Sequence, residues 1–362
     1  MKVTFYIGSL YGGGAERVTC CLANYFADKD YDVDILTMAE SKESYELDRK
    51  VSNTILLKNS DRKNKARDFF HRWRGLVKYL RESDTDVFVV MLPVTTIMLL
   101  LLKDLTTKPI IAAERADPSS YSFIKQKLLR LLASRADKYV FQTDEIRKWY
   151  GDHVKDEKSI VIPNAINPAF MRPMFEGVRD KSIVGIGRLT EQKNFSMLVK
   201  AFSEVHKFFP EYQLIIYGDG LLRDRLKQEV KELQIDNYVS LPGNVKDIIS
   251  KLERTSIFVL SSKFEGMPNA LIEAMALGIP CISTDCSGGG ARFLIDDRVN
   301  GLLIPSGDKD ALINAILELL SSQDLMNNLG RKARELSKKL APQEIYKQWE
   351  KCIVDVGQGE KL

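Results

Sequence analysis

The chain has 362 residues, of which 44% are hydrophobic and 28% charged, a balance typical of a soluble globular protein long enough for two domains. The formal net charge of +4 is small and the basic residues match no recognised nucleic-acid-binding motif, so no nucleic-acid partner is predicted. Its five cysteines and three histidines show no CxxC pair and no metal-ligand spacing, which favours buried thiols in a reducing cytoplasm.

The N-terminal strand pattern leads directly into a glycine-rich loop. The segment MKVTFYIGS has no charged leader and no cleavage site, so a secretory signal is not predicted. The loop GSLYGGGAE then opens an amphipathic helix, and backbone N–H groups around Gly13 and Gly14 are suited to an anion. Three consecutive glycines favour a close backbone approach over a plain turn, while the lack of a GxGxxG pattern argues against a dinucleotide cofactor.

A basic and aromatic segment follows at residues 61–81. It reads DRKNKARDFFHRWRGLVKYLR and carries eight Lys or Arg residues interleaved with Phe69, Phe70, Trp73 and Tyr79. An amphipathic, basic helix of this kind is suited to an anionic membrane surface. An ordinary solvated helix with its aromatic face in the core explains the same pattern, and the sequence leaves both interpretations open.

The rest of the chain alternates strand and helix patterns in two rounds. Strands are predicted at VDILT, DVFVVM, PIIAAE and KYVFQT, and the apolar run MLPVTTIMLLLL is too short to span a bilayer, so it is predicted to be a core strand and helix. A Pro- and Asn-rich linker at about 163–175 precedes a second round that begins near residue 182. Alternation throughout predicts an α/β fold of two facing domains with parallel sheets and a ligand cleft between them.

We predict domain boundaries at the linker and at a second break. The N-terminal domain spans residues 1–165 and the C-terminal domain residues 166–341. Because Pro342 follows Ala341 at a predicted helix break, a final helix at 342–362 is expected to cross back to the first domain.

Two loops of the second domain carry the chemistry. GRLTEQKN joins a strand to a helix and holds Arg188 and Lys193, cations suited to a diphosphate, although two solvated cations would give the same pattern. FEGMPNALIEAMALGIP predicts a helix from about 268 to 277, with Glu265 in the loop before it and Glu273 within it. Cations for phosphates and carboxylates for hydroxyls, at one sheet edge, fit a nucleotide sugar.

With these motifs in order, the chain resembles the retaining glycosyltransferases of the GT-B fold, specifically glycosyltransferase family 4. The resemblance covers nearly the whole chain, through GGGAE, PNAIN, GRLTEQKN, YGDGLLRDRL, LPGNVKDI, FEGMPNALIE and NGLLIPSGD. It implies two Rossmann-like domains, of which the first binds the acceptor and the second the nucleotide sugar. It also implies no metal or other cofactor, since the cations take the metal's place.

The resemblance also implies roles for individual residues. Glu273 would bind the ribose, Glu265 the donor sugar, and Arg188 and Lys193 the diphosphate, where they would stabilise the charge of the leaving group. From their place in the glycine-rich loop, Gly13 and Gly14 are also predicted to contact the donor. The remaining contacts implied are Asn244 and Val245 to the base, and backbone groups of Gly266, Met267, Pro268, Asn269, Ala270 and Leu271 along the sugar and diphosphate.

The chain departs from the family after the strand PIIAAE. Many members have a histidine there, whereas this sequence continues with Glu114, Arg115, Ala116 and Asp117. Arg115 is therefore a candidate contact to the donor or acceptor, and Glu114 or Asp117 a candidate proton acceptor. The family's retaining reaction is usually described as front-face attack assisted by the leaving diphosphate, so no protein base is required.

The leading hypothesis is a retaining glycosyltransferase at the cytoplasmic face of the membrane. It would move a hexose or N-acetylhexosamine from a nucleotide sugar, with UDP favoured, to a lipid-linked glycan in bacterial capsule, O-antigen or related polysaccharide synthesis. A nucleotide-sugar epimerase or hydrolase would need an acid–base pair around the sugar, and a glycosidase would leave the Gly-rich loops unexplained. A catalytically inactive sugar-nucleotide-binding subunit or membrane scaffold is the alternative from another class.

Overall fold

The computed structural model describes residues 1–42 and 45–359 of the chain. They form two compact units, one made of Met1–Ala165 with the chain from Gln343 onward, the other of Ile166–Pro342. Each unit contains one sheet in which every strand pair is parallel. The α/β architecture predicted from the alternating patterns is therefore confirmed in both halves.

The first unit contains a seven-stranded sheet. Its strands are β1 (Lys2–Ile7), β2 (Asp32–Thr37), β3 (Val51–Ile55), β4 (Val87–Met91), β5 (Ile110–Ala113), β6 (Lys138–Phe141) and β7 (Ser159–Val161). Their order across the sheet is β3-β2-β1-β4-β5-β6-β7. Since parallel neighbours need a crossover rather than a tight turn, helices connect most of them. These helices are α1 (Gly14–Asp28), α2 (Lys65–Glu82), α3 (Pro93–Leu101), α4 (Phe123–Ala133) and α5 (Asp144–Tyr150).

Helices cover both faces of this sheet. Tyr6 of β1 shares a core with α2, α3, α4 and α5. The neighbouring Phe5 points to the opposite face, because side chains alternate along a strand, and its ring lies 6.2 Å from that of Phe26 on α1. The four helices that share the core with Tyr6 contribute Leu76, Leu99, Leu132 and Tyr150.

The second unit contains a six-stranded sheet. Its strands are β8 (Asp180–Ile186), β9 (Gln213–Tyr217), β10 (Val239–Gly243), β11 (Thr255–Leu260), β12 (Cys281–Asp285) and β13 (Leu302–Pro305), in the order β10-β9-β8-β11-β12-β13. Its helices are α6 (Phe195–Val205), α7 (Arg223–Glu232), α8 (Ile248–Leu252), α9 (Asn269–Ala276), α10 (Gly290–Leu294), α11 (Lys309–Leu320) and α12 (Gln323–Lys339). Residues of β11 are buried throughout, as expected for a central parallel strand.

The last helix, α13 (Pro342–Gly357), packs on the first unit. Trp349 is buried, and the ring of Tyr346 lies 5.2 Å from that of Tyr25 on α1. Glu350 accepts a hydrogen bond of 2.8 Å from Tyr25 Oη and pairs with Lys29 Nζ at 2.8 Å. The predicted helix break is confirmed, because α12 ends at Lys339 and α13 begins at Pro342.

Two strands were not predicted from the sequence. β3 and β7 are the two edge strands of the first sheet. β3 is only partly buried and contains Ser and Asn, while β7 has three residues. Neither forms the continuous apolar run that identifies a central parallel strand, so the periodicity signal is weak there.

The apolar run at 91–102 forms the end of β4 and helix α3, as predicted. Within residues 1–42 and 45–359, every helix falls short of the length and apolarity that a membrane span requires.

Candidate functional site

The order of the second sheet places two loops beside a topological switch point. From β8 the chain proceeds to β9 and β10 on one side, and then returns to place β11 on the other side of β8. In open parallel sheets, ligands bind in the crevice that forms at such a reversal, beyond the carboxyl ends of the strands. The loops that follow β8 and β11 contain the predicted Arg188, Lys193 and Glu265.

These two loops are hydrogen-bonded to each other. Lys263 N donates to Gln192 O at 2.8 Å, and Gln192 Nε2 donates to Phe264 O at 3.0 Å. Ser261 Oγ donates to Lys193 O at 2.9 Å. Both backbone and side-chain groups thus hold the loops together before any ligand binds.

Lys193 and Glu265 form an ion pair at this edge. Lys193 Nζ lies 2.6 Å from Glu265 Oε1, and their side chains are only 15% and 10% exposed. Ser262 Oγ donates to the same oxygen at 2.7 Å. Charge-assisted hydrogen bonds at such distances are strong and orient both partners. Glu265 Oε2 has no hydrogen-bond partner among the described residues, which leaves it available to a hydroxyl group.

Helix α9 begins directly after the Glu265 loop and carries Glu273. The helix begins at Asn269, one residue after the predicted start at Pro268, which is its N-cap. Gly278 has a φ of 69° and ends the helix as predicted, with Gly278 N bonded to Met275 O at 3.0 Å and Ile279 N to Ala274 O at 3.1 Å. Glu273 is buried on this helix.

The remaining predicted backbone contacts surround the same helix N-terminus. Gly266, Met267 and Pro268 lie in the loop, and Asn269, Ala270 and Leu271 form the first turn of α9. Leu271 is fully buried, so its side chain belongs to the core and only its backbone is suited to a ligand. The positive end of the α9 dipole favours an anion here.

A third loop, after β12, was not recognised from the sequence as part of this site. Glu265 N donates to Ser287 O at 3.1 Å. A Cβ atom at Gly290 would lie 1.9 Å from Gly266 O, so only glycine allows the two loops to approach so closely. The three glycines at 288–290 follow a predicted strand, and that signal could have identified the loop. Ser262, which binds Glu265, had no sequence signal of its own.

A second close approach explains the GDG motif after β9. Gly218 has a φ of 126°, and a Cβ atom there would lie 2.0 Å from Gly187 O. Gly218 therefore allows the loop after β9 to lie against the start of the loop that carries Arg188 and Lys193.

Arg188, Asn244 and Val245 are the more accessible predicted residues of this unit. Arg188 is exposed, and within the described parts of the chain its guanidinium forms no hydrogen bond or ion pair. Asn244 is exposed and Val245 half-buried in the loop after β10, which is separated from β8 by β9. The structure does not bring these two into contact with the Lys193–Glu265 pair.

In the first unit, the predicted glycines lie at the N-terminus of α1. Gly13 precedes the helix and Gly14 is its first residue. The carboxylate of Glu16 folds back toward this end, since a Cβ atom at Gly13 would lie 2.0 Å from Glu16 Oε2. A carboxylate is favourable at a helix N-terminus, so an anion binding at Gly13 would compete with Glu16.

Arg115 is buried in the first unit, and only one of its three guanidinium nitrogens has a hydrogen-bond partner among the described residues. Its Nη2 donates to Asn164 Oδ1, which also accepts from Gln142 Nε2 at 2.9 Å, and its guanidinium carbon lies 6.0 Å from the Trp349 ring. Arg115 Nε and Nη1 are buried without a hydrogen-bond partner. Burial lowers the pKa of Arg115 to about 10, an effect opposed by the charge of Glu114.

Glu114 and Asp117 are both engaged by neighbouring groups. Glu114 Oε1 accepts from Tyr121 Oη and Oε2 from Tyr150 Oη, each at 2.7 Å. Burial raises the pKa of Glu114, although these hydrogen bonds oppose the shift. Asp117 accepts from Ser119 N at 2.9 Å and from Ser119 Oγ at 2.7 Å.

Across the described residues, no group of three or more His, Cys, Asp or Glu side chains is arranged to hold a metal ion.

Two family models together match most of the chain. The model described as Glycosyltransferase Family 4 matches residues 12–170, and the one described as Glycosyl transferases group 1 matches residues 171–336. The junction between them falls close to the division between the two structural units.

Full-length relatives and solved structures agree with these models. A Campylobacter jejuni protein named GalNAc-α-(1→4)-GalNAc-α-(1→3)-diNAcBac-PP-undecaprenol α-1,4-N-acetyl-D-galactosaminyltransferase is 30% identical over 98% of this chain and 99% of its own length. The amylovoran biosynthesis glycosyltransferase AmsD of Erwinia amylovora is 25% identical over 93% and 95% of the two chains. Anabaena HepE, solved with UDP-glucose, shares the GT-B fold with a TM-score of 0.84 at 18% identity, over 98% of this chain and 100% of its own.

Proposed function

The chain belongs to glycosyltransferase family 4, and from this premise we propose that it transfers a hexose or N-acetylhexosamine from a UDP-sugar to a lipid-linked glycan with retention of configuration. The proposed pathway is the assembly of a bacterial surface polysaccharide. The C. jejuni relative, whose name specifies an undecaprenyl-diphosphate acceptor, and AmsD, whose name specifies amylovoran biosynthesis, support this choice.

The observation that carries the proposal is the Lys193–Glu265 ion pair at the switch point, with Glu273 on the helix that follows. We propose that Glu265 Oε2 accepts a hydrogen bond from the donor sugar while Oε1 stays with Lys193 and Ser262. Glu273 would accept hydrogen bonds from the ribose. A carboxylate accepts hydrogen bonds in several directions and is therefore suited to a hydroxyl-rich ligand.

Arg188 and Lys193 are proposed to bind the diphosphate. The bond between C1 of the sugar and the diphosphate oxygen breaks, and the acceptor oxygen bonds to C1 from the same face. The acceptor proton passes to the departing diphosphate. Negative charge grows on that diphosphate, so a cation that is already held in place, as Lys193 is, stabilises the transition state more than the ground state.

No protein base is required in this scheme. Glu114 is held by two tyrosines and Asp117 by Ser119, so neither carboxylate is proposed as the proton acceptor. Arg115, with two guanidinium nitrogens that lack partners among the described residues, is the proposed contact of the first unit to the sugar or acceptor. We also propose that the two cations make a metal ion unnecessary.

The test begins with calorimetric titration of UDP, GDP and ADP, followed by UDP-sugars, with and without EDTA. Tight binding of UDP alone, unchanged by EDTA, is the expected result. Turnover is then measured with a membrane lipid extract as acceptor, for the wild type and Arg115→Lys, and the product's anomeric configuration is read by NMR. Nucleotide binding without turnover would support an inactive binding subunit, and failure to bind any nucleotide would sink the donor-site assignment.

The cytoplasmic face is the proposed location. The five cysteines are free thiols, as is usual in a reducing compartment. Recovery of the protein in an oxidising, extracytoplasmic fraction of the cell would contradict this location.

We further propose that α2 contacts an anionic membrane surface. Trp73 and Tyr79 pack toward the core, as the solvated-helix interpretation predicts, whereas Phe69 and Phe70 are 50% and 59% exposed and support the proposed contact. A groove of about 790 Å³ runs along the helix. Its lining includes Lys63, Arg67, Phe70, His71, Arg74 and Lys78.

Reversing the charge of three exposed bases, with Arg67, Arg74 and Lys78 replaced by Glu, should strongly reduce flotation with phosphatidylglycerol vesicles at low salt. Each base near an anionic surface contributes about 1 kcal/mol, so reversing three of the six bases on α2 removes about 3 kcal/mol of attraction and adds repulsion of similar size. The matched control reverses three exposed bases on α7, Arg225, Lys227 and Lys231, and should float like the wild type. Equal flotation of all three proteins would rule out α2 as the contact.

A further inference from the structure

Helix α4 presents large apolar side chains to solvent. Phe123, Ile124 and Leu131 are 78%, 70% and 67% exposed. Phe123, Lys127 and Leu131 are spaced four residues apart, so they lie on one face of the helix, and Ile124 adjoins them. We call these four residues the α4 stripe. The opposite face, with Leu129 and Leu132, is buried in the core of the first unit.

The neighbouring helix also exposes apolar side chains. α3 packs beside α4 and exposes Val94 and Leu101 by 42% and 46%, seven residues apart on one face. α3 contains no charged residue. Single exposed apolar residues are common on the surfaces of monomers. Several on two helices that pack side by side are typical of a surface that contacts a membrane or another protein.

The charges around the stripe indicate what covers it. α4 carries three basic residues and no acidic one. Lys125 and Lys127 are exposed and form no ion pair with any residue that the structure describes, whereas Arg130 is engaged, since its Nη2 donates to Trp149 O at 2.8 Å. The two lysines therefore add positive charge at the edge of an apolar surface.

The α4 stripe also shares a sheet face with the basic helix. α2, α3 and α4 all bury residues in the same core above the first sheet, and α2 contributes six basic and two acidic residues. An apolar stripe flanked by unpaired lysines, beside a basic helix, has the composition of a surface that enters the headgroup region of an anionic bilayer.

A second copy of the chain fits the stripe less well. In a two-fold interface each patch would meet itself, which would bring Lys127 of one copy against the same surface of the other. Since α4 has no acidic residue, the lysines would be desolvated without a partner, at a cost that anionic headgroups do not impose.

We propose that the α4 stripe inserts into the headgroup region of an anionic membrane and anchors the first unit there. The inference extends, and rests on, the membrane contact proposed for α2. The two surfaces would contribute differently. The bases of α2 would supply electrostatic attraction, which salt screens, and the α4 stripe would supply apolar burial, which salt does not screen.

The test compares the wild type with the double variant Phe123→Ser/Ile124→Ser in flotation with vesicles of equal parts phosphatidylglycerol and phosphatidylcholine. We expect the variant's partition coefficient between membrane and water to fall about tenfold or more, because the variant lacks two large apolar side chains that the wild type would bury in the membrane. The difference should persist in about 0.5 M salt, where the contribution of α2 is screened. The matched control is Phe208→Ser, since Phe208 is also 70% exposed but lies in the second unit.

Three results would overturn the proposal: unchanged flotation of the double variant, an equal loss in the Phe208→Ser control, or light scattering that shows a wild-type dimer and a monomeric variant. Leu131→Ser provides a second variant should the first fail to fold. UDP titration of every protein separates this inference from the donor site. A wild type that binds UDP but no vesicles defeats both membrane contacts, of α2 and of the α4 stripe, and leaves the donor site in place, whereas one that binds vesicles but no nucleotide defeats the donor site alone.

Discussion

Replacing Lys193 by alanine is expected to lower kcat by about 10²–10³-fold, the range found when one preorganised donor to a developing oxyanion is removed. Lys193 Nζ is already held 2.6 Å from Glu265, so its position is set before the donor arrives. The variant loses a cation of the diphosphate site and leaves the Glu265 carboxylate with Ser262 as its one remaining hydrogen-bond partner among the described residues. The measurement is steady-state transfer from the UDP-sugar that the titration identifies.

Lys263 offers a matched control in the same pair of loops. It lies 3.3 Å from Glu191, and both side chains are about half exposed. Exposed ion pairs contribute little, so Lys263→Ala should retain wild-type kcat and stability. Losing Lys193 leaves the Glu265 carboxylate poorly paired. The free energy of unfolding of Lys193→Ala should therefore be lower by about 1–3 kcal/mol, and its melting temperature should fall. A Lys193→Ala enzyme with wild-type kcat would remove Lys193 from the proposed clamp.

The second large effect is expected on nucleotide affinity. Glu273→Ala should weaken UDP binding by about 10–100-fold, because a hydrogen bond to a charged group contributes about 1.5–3 kcal/mol. UDP and its 2′-deoxy and 3′-deoxy forms are titrated into both proteins. If Glu273 binds the ribose hydroxyls, the deoxy nucleotides should bind the wild type more weakly than UDP does. For the Glu273→Ala variant, the affinities of UDP and the deoxy nucleotides should be nearly equal. Such a cycle isolates the contact between the two groups.

Equal penalties for the deoxy nucleotides in both proteins would mean that Glu273 does not contact the ribose. Glu229→Ala is the control for loss of a partly buried glutamate in the same unit. Glu229 lies on α7, where it accepts from Ser196 Oγ at 2.7 Å and pairs with Lys200 Nζ at 3.0 Å. Its replacement should reduce stability and leave UDP affinity unchanged.

Local chemistry made much of the second unit predictable. Gly278 was expected to end α9, and it does so in the left-handed conformation that glycine adopts without strain. The break before Pro342 follows equally from a residue that lacks a backbone N–H. The parallel sheets followed from apolar runs alternating with amphipathic helices. The edge strands β3 and β7 were not predicted, because strands at the edge of a sheet do not require continuous apolar residues.

The sequence by itself determined which residue types stand after each strand, and hence the nature of the proposed site: cations after β8 and carboxylates after β11 and on α9. Only the tertiary structure decided that Lys193 pairs with Glu265, that Ser262 shares the same oxygen, and that the loop after β12 closes against Gly266. These contacts join residues far apart in the chain, and the order of strands in the sheet brings them together. Local propensity does not predict that order, because the same residues form the same helix or strand whichever element packs beside it.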